Sequence, residues 1–292
     1  MKKTAIVTDS NSGITQAEGA KLGIFVVPMP FLVNGEQFYE DINLTQDEFY
    51  EKLKSDADVS TSQPIVGELL AFWDKILQDY DDMVYIPMSS GLSESCNTAK
   101  MLAQDYDGRI QVVDNQRISI TQKQSVFDAK AMAEEGMSAE ETKDFLEKTK
   151  LEASIYISLP TLKYLKKGGR ITPAAAAVGT ALHLRPVLQI QGERLDKYRM
   201  TTVTMKAAKA AMIEGLKNDL KNRFANLATN GELALAVAHT QNFEKAEEFK
   251  KELQAVFPGL PFVSCDPLSL SVACHIGPGA LACALFRMKK AK

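Results

Sequence analysis

No two cysteines of this chain lie two residues apart, and there are only four: Cys96, Cys265, Cys274 and Cys283. Neither a zinc framework nor a disulfide scaffold is encoded, and the thiols are expected to be reduced. No apolar run is long enough to span a bilayer. Met1-Lys2-Lys3-Thr4 leads into a short strand, not into the apolar core of a secretory signal, so a cytoplasmic location is expected. An excess of positive charge is missing too. The formal net charge is −3, which argues against a nucleic-acid partner. There is no Gly-x-x-x-x-Gly-Lys-Ser/Thr loop and no Gly-x-Gly-x-x-Gly after a strand, so a kinase acting alone lacks its phosphate cradle. Neither repeats nor low-complexity segments are present. What remains is an ordinary globular composition, 45% hydrophobic and 24% charged. Its 292 residues suffice for one large core or two smaller ones.

The most informative stretch present is Pro87-Met88-Ser89-Ser90-Gly91-Leu92-Ser93-Glu94-Ser95. It follows the apolar run Met83-Val84-Tyr85-Ile86, expected as a buried strand, and precedes a helix through Leu102. Strand, hydroxyl-rich turn and helix in that order set several OH groups beside the unpaired N–H groups of a helix start, where an anion is favoured. Ordinary N-capping by Ser89 or Ser90 is the competing reading of any one serine.

The rest of the first half alternates strand and helix. Strands are expected at residues 3–8, 24–27 and 110–113, with a hairpin around Asn34-Gly35. Thr45-Gln46-Asp47-Glu48 is a capping box opening a helix through Lys54. Ser60-Thr61-Ser62-Gln63-Pro64 is expected to open another, with Leu69, Leu70, Trp73, Ile76 and Leu77 on its buried face. Further helices are expected over about residues 122–134 and after Ser138. The pattern implies a mostly parallel sheet flanked by helices, with ligands bound at the carboxyl ends of its strands. Asp9–Ser12, Ser89–Ser93 and Asp114–Arg117 all fall at such ends.

A second lobe with a mixed sheet is expected from Ser154, which divides the chain at 1–153 and 154–292. Its predicted strands cover residues 154–158, 186–190, a polar stretch ending near Arg199, 233–238, 261–264 and a final run through Phe286. Its predicted helices cover residues 161–167, 173–182, 203–223 and 243–256. Pro173-Ala174-Ala175-Ala176-Ala177-Val178-Gly179-Thr180-Ala181 and Ala280-Leu281-Ala282-Cys283-Ala284 read as helices of small side chains. These either leave volume for a ligand or allow tight packing.

Five stretches in order resemble the DegV family of bacterial proteins, the fatty-acid-binding subunits of a fatty acid kinase. They are Ile6-Val7-Thr8-Asp9-Ser10, Thr61-Ser62-Gln63-Pro64 and Ser89-Ser90-Gly91-Leu92-Ser93, then Leu162 to Ile171, with Lys167-Gly168-Gly169-Arg170 inside it, and His275-Ile276-Gly277-Pro278-Gly279-Ala280. The resemblance implies two α/β lobes with an acyl chain between them and its carboxylate at the serine turn. It implies a separate kinase subunit, related to dihydroxyacetone kinase, that phosphorylates the carboxylate to an acyl phosphate for phospholipid synthesis. No cofactor or metal is implied, the bound fatty acid being the ligand, and transient membrane contact fits such a cargo. The chain departs from the family at Glu94-Ser95-Cys96, where Gly-Thr-Tyr is usual. It departs again at Asp114-Asn115 with Ser119-Ile120-Thr121, and in the thinned basic cluster Arg199-Met200-Thr201-Thr202.

The candidate ligand residues are Thr61, Ser62, Ser93, His275 and Gly279, and the candidates for the partner or the phosphoryl group are Arg170 and Arg199. Thr61 and Ser93 are each expected at a helix start, where capping is the alternative. His275 precedes a Gly-Pro-Gly turn expected to leave its ring uncrowded; a satisfied core histidine is the alternative there, and the reading for His183 and His239. A solvated loop charge is the alternative for Arg170. The competing activity is a serine hydrolase using Ser93 with His275, since Asp266 and His275 follow in hydrolase order. Against it, Gly91-Leu92-Ser93-Glu94-Ser95 lacks the second glycine of the nucleophile elbow, and no His-Gly-Gly-Gly oxyanion loop is present.

Overall fold

The computed structural model describes residues 2–171, 185–192, 194–201 and 204–289, with residues 200 and 201 described by backbone alone. The expected helix over 173–182, His183, and the start of the helix expected from 203 lie outside the described residues. The chain divides into two compact units: residues 2–150 with Ser269–Ser271, and Leu151–Leu268 with residues 272–289.

In the first unit β1 (Thr4–Asp9), β2 (Ile24–Val27), β6 (Asp82–Ile86) and β7 (Ile110–Val112) form a parallel sheet in the order β2-β1-β6-β7. Thr8 stands opposite Ile86, and Tyr85 opposite Val112. β6 is buried at every position, as expected of a parallel strand covered on both faces. The covering helices include α1 (Gln16–Leu22), α3 (Val66–Ile76), α4 (Ser95–Leu102), α5 (Ser119–Glu134) and α6 (Ala139–Lys148). One core face gathers Leu69, Trp73 and Ile76 from α3 onto Val7, Met83 and Tyr85; the other packs Val126, Ala129 and Met132 of α5 on Ile6, Val84 and Ile86. Trp73 is fully buried, edge-on to Tyr85 at 5.7 Å and to Tyr106 at 5.8 Å.

A separate three-stranded antiparallel sheet holds β3 (Pro30–Val33), β4 (Glu36–Tyr39) and β5 (Val59–Thr61), with α2 (Gln46–Lys54) in the connection. Asn34 (φ 52°) and Gly35 (φ 83°) make the hairpin turn, and Thr45 with Glu48 closes the capping box. The expectation that Thr61 opens a helix is corrected. Thr61 ends β5, opposite Phe31, and the helix begins only at Val66. Two β-branched residues, Val59 and Thr61, favour the strand, and Pro64 biases the residue before it away from helix.

The second unit is one six-stranded mixed sheet, β10-β9-β8-β13-β11-β12. Its strands are β8 (Ala153–Ser158), β9 (Arg185–Ile190), β10 (Leu195–Thr201), β11 (Leu233–His239), β12 (Phe262–Pro267) and β13 (Leu281–Arg287). Only β11–β12 is parallel, the other neighbours being antiparallel. Its described helices are α7 (Lys163–Gly168), α8 (Met205–Lys221), α9 (Ala225–Thr229), α10 (Phe243–Val256) and, from Val272 on, α11 (Leu270–Ile276). The final strand expected through Phe286 is β13 from Leu281, paired along its length with both β8 and β11, and the helix reading of Ala280–Ala284 is corrected. Its local preference for helix yields to ladder bonds on both edges. α9 and α11 carry too short a pattern to be read from sequence.

Trp73→Ala is expected to lower the unfolding free energy by about 3–5 kcal/mol. Urea titration of the two proteins checks it, and a loss under about 1 kcal/mol would mean that the ring does not carry this core.

Candidate functional site

Three turns leave the carboxyl ends of β1, β6 and β7, and hydrogen bonds tie them together. β2 and β6 lie on opposite sides of β1, so the strand order reverses at the β1/β6 boundary, the place where open α/β sheets bind ligands. Asp9 is fully buried there. Its Oδ1 accepts the Asn11 amide at 3.0 Å, and its Oδ2 accepts the Met88 amide, first residues of the serine turn, at 2.9 Å. Gln122 of α5 is also buried, and its Nε2 donates to Asp9 Oδ1 (3.0 Å), Ile86 O (3.1 Å) and Thr8 Oγ1 (3.2 Å). Burial raises the Asp9 pKa, and the donors from Met88, Gln122 and Asn11 only partly offset it. The third turn grips the serine turn from its other side. Arg117 O accepts the Ser89 amide at 2.9 Å, and Asp114 Oδ1 accepts the Ser90 amide at 3.3 Å.

The serine turn then folds on itself. Ser89 is buried; its carbonyl accepts the amides of Leu92 and Ser93, and its Oγ accepts that of Gly91. Ser89 is thus a structural serine. Ser93 is half-buried, and its Oγ accepts the Ser95 amide at 3.2 Å while donating to Ser95 Oγ at 2.9 Å. Ser93 therefore stands just ahead of α4, and the next first-turn amides, Cys96 and Asn97, have no carbonyl partner within the helix. A hydroxyl beside such amides can turn to an incoming anion at little cost. Among the described residues, the Ser93 hydroxyl bonds Ser95 and no histidine.

Thr61 and Ser62 come onto the same helix by another route. Thr98 Oγ1 of α4 donates to Gln63 Oε1 at 2.8 Å, which holds the loop after β5 against α4. Thr61 is half-buried and Ser62 exposed, with the Ser62 amide donating to Pro30 O at 3.4 Å. The strand end, not a helix start, positions Thr61.

In the second unit His275 ends α11, and its ring is not uncrowded as expected. It packs so closely on Gly168 that a Cβ at that position would lie 2.0 Å from Nδ1. Burial, reinforced by the positive charge of Arg170, pulls its pKa down to about 4, so the imidazole is neutral near pH 7. Gly277 (φ 75°) presses on the Tyr164 ring in the same way. Thr240, at the end of β11, fixes the following loop: its carbonyl accepts the Gly279 amide at 2.7 Å, and its Oγ1 donates to Gly277 O at 2.6 Å. Gly279 (φ 79°) needs its glycine for that backbone conformation. The exposed Arg170 guanidinium donates to Gly168 O. Arg199 makes a two-pronged pair with Glu214 at 2.6 and 2.8 Å on the exposed side of β10. His239 is buried as expected, with Nδ1 accepting the Asn242 amide at 3.3 Å, but it is not the fully satisfied histidine expected, since its buried Nε2 has no hydrogen-bond partner among the described residues.

Gln122, Thr240 and the pair Lys100–Asp114 brace these loops, and of these the sequence marks only Asp114, at a strand end. A glutamine or lysine in a helix reads as surface. For Gln122 the one signal is the polar trio Ser119, Thr121 and Gln122 at the start of a helix, and all three are buried. No cluster of metal-ligating side chains occurs among the described residues, and no described helix is long and apolar enough to cross a membrane.

A model of the DegV family, a family of uncharacterised proteins by description, matches residues 3–288. A DegV domain-containing protein of Staphylococcus aureus (strain N315) is 26% identical over 282 residues, covering 96% of this chain and 98% of that one. One of Listeria innocua is 28% identical over 283 residues, covering 96% and 97%. Among solved structures, a DegV family protein from Thermus thermophilus, described for its fatty acid binding, matches with TM-score 0.86 and 26% identity, covering 98% of this chain and 100% of that one. DegV from Bacillus subtilis, a fatty acid binding protein, matches with TM-score 0.84 and 27% identity at the same coverage. With its family model matched almost from end to end, this chain belongs to the DegV family.

Proposed function

We propose that this protein binds a long-chain fatty acid, with its carboxylate at Thr61 and Ser93, and presents it to a separate kinase subunit for phosphorylation to an acyl phosphate. The observation that carries the head-group assignment is the start of α4. Ser93 stands over first-turn amides that lack helix partners, while the Thr98–Gln63 bond holds the Thr61 loop to the same helix. The fatty acid binding of the Thermus and Bacillus relatives supports the ligand class. Ser62 and Gly279 are assigned to the ligand as well. His275, neutral near pH 7, is assigned a hydrogen bond to the ligand or assistance in the phosphoryl transfer. Arg170 and Arg199 are assigned to the kinase subunit or the transferring group. The chemistry with ATP then belongs to the partner, related to dihydroxyacetone kinase, and this chain is a lipid-binding subunit that needs no cofactor of its own.

The energetics divide the work. Each hydrogen bond to the charged head contributes about 1.5–3 kcal/mol. A tail of about fifteen methylenes at about 0.8 kcal/mol each contributes about 12 kcal/mol gross. The tail dominates affinity, and the hydroxyls decide which end is offered to the partner.

Purified protein is expected to carry close to one equivalent of fatty acid, measured by gas chromatography of an organic extract; an extract without acyl chains would sink the proposal. Ser93→Ala is expected to weaken binding about tenfold, the loss of one charged hydrogen bond. Arg170→Ala is expected to leave binding intact and slow acyl phosphate formation with the kinase subunit and ATP. Loss of binding instead would make the arginine a ligand residue. A fluorophosphonate probe is expected to leave Ser93 unlabelled, whereas labelling would favour the hydrolase.

A further inference from the structure

The serine turn is an unlikely neighbour for an anion on charge alone. In the first unit acidic residues outnumber basic ones nearly two to one, and the ratio is reversed in the second. The first unit's own charge therefore does not favour a carboxylate at Ser93, and the acidic side chains bonded to the turn's amides are Asp9 at Met88 and Asp114 at Ser90. Asp114 Oδ1 accepts the Ser90 amide at 3.3 Å, and Glu147 Oε1 accepts the Asp114 amide at 3.0 Å. Lys100 reaches this pair from α4, with Nζ 2.9 Å from Asp114 Oδ2 and in favourable interaction with Glu147 as well. The Asp114 side chain is only 15% exposed and that of Lys100 38%, so water screens the ion pair less than one on the open surface. Arg117, the other cation beside the turn, directs its guanidinium to Ser125 Oγ at 3.2 Å and to Thr149 O at 3.0 Å.

We propose that Lys100 is a positioning residue for the anionic head group: it holds Asp114 beneath the serine turn and cancels the carboxylate's field, so that a second carboxylate is accepted at Ser93. This rests on the fatty-acid reading above. Asp114 cannot simply be dispensed with, because it receives the Ser90 amide and so shapes the turn; the turn needs the acceptor, and the ligand needs its charge neutralised. An uncompensated unit charge roughly 10 Å from the head group, at an effective dielectric of about 20 to 40, changes anion affinity roughly five- to fifteenfold. A neutral head group does not respond to that field.

The test measures displacement of a fluorescent fatty acid by oleate and by oleyl alcohol, on the full chain freed of bound lipid. Lys100→Gln is expected to weaken oleate about fivefold or more relative to oleyl alcohol. Lys100→Arg is expected to restore the wild-type ratio, and so is the double change Lys100→Gln with Asp114→Asn, which removes both charges. A general loss of packing would weaken acid and alcohol alike, and that outcome overturns the proposal, as does an unchanged ratio in Lys100→Gln. Wild-type protein from which oleate displaces nothing would instead overturn the fatty-acid reading itself.

Discussion

A carboxylate with no exposed surface sits where three polar turns meet, and its two oxygens accept donors from three separate parts of the chain. Asp9 takes amides from its own turn and from Met88, and the Gln122 side chain completes the set while also holding the ends of β1 and β6. Burying that group is expensive unless each lone pair is used, because desolvation disfavours the charge. The consequence is geometric. The serine turn cannot shift relative to the strand ends without leaving a buried oxygen or amide unpaired, so Ser93 and the start of α4 are held by the core of the sheet.

The bracing on the other side of the turn is of a different kind. Asp114 and Arg117 reach it from the end of β7, one with a carboxylate and one with a main-chain oxygen. Asp114 is more exposed than Asp9 and is paired with Lys100, a lysine of α4, the helix that opens just after Ser93. Burial opposes its ionisation, but the Lys100 bond and the Ser90 donors outweigh it and hold its pKa below the usual value. One face of the turn is thus fixed by a dry network and the other by a half-wet ion pair, and only the second is open to tuning without repacking the core.

Residues with strong local chemistry were legible in the sequence. Asn34-Gly35, the Thr45 capping box, the Ser138 cap and the glycine stop after α7 all lie where short-range rules put them. The alternation of strand and helix also conveyed the parallel sheet, and with it the meeting of three turns at one end. What sequence reasoning missed is set by long-range pairing. Thr61 is a strand residue because Phe31 lies opposite it; the final run through Phe286 was expected as a strand, but its small-residue start, read also as helix, belongs to that strand because β8 and β11 flank it. The crowding of His275 was hidden for the same reason: it depends on Gly168, which a linear reading treats only as a helix stop. Gln122 has only the faint mark of the hydroxyl-rich start of α5, since its role comes from what surrounds it.

The glycine against the imidazole has a bearing on how such chains diverge. Because the ring of His275 fills the space that a side chain at position 168 would need, the two residues are sterically coupled despite their distance along the chain. A lineage that gains a methyl at 168 must move or replace the histidine, and one that abandons the histidine leaves a void that relaxes the demand for glycine. Within this family, homologues with a side chain at the position of Gly168 are therefore expected to carry a smaller or shifted side chain at that of His275.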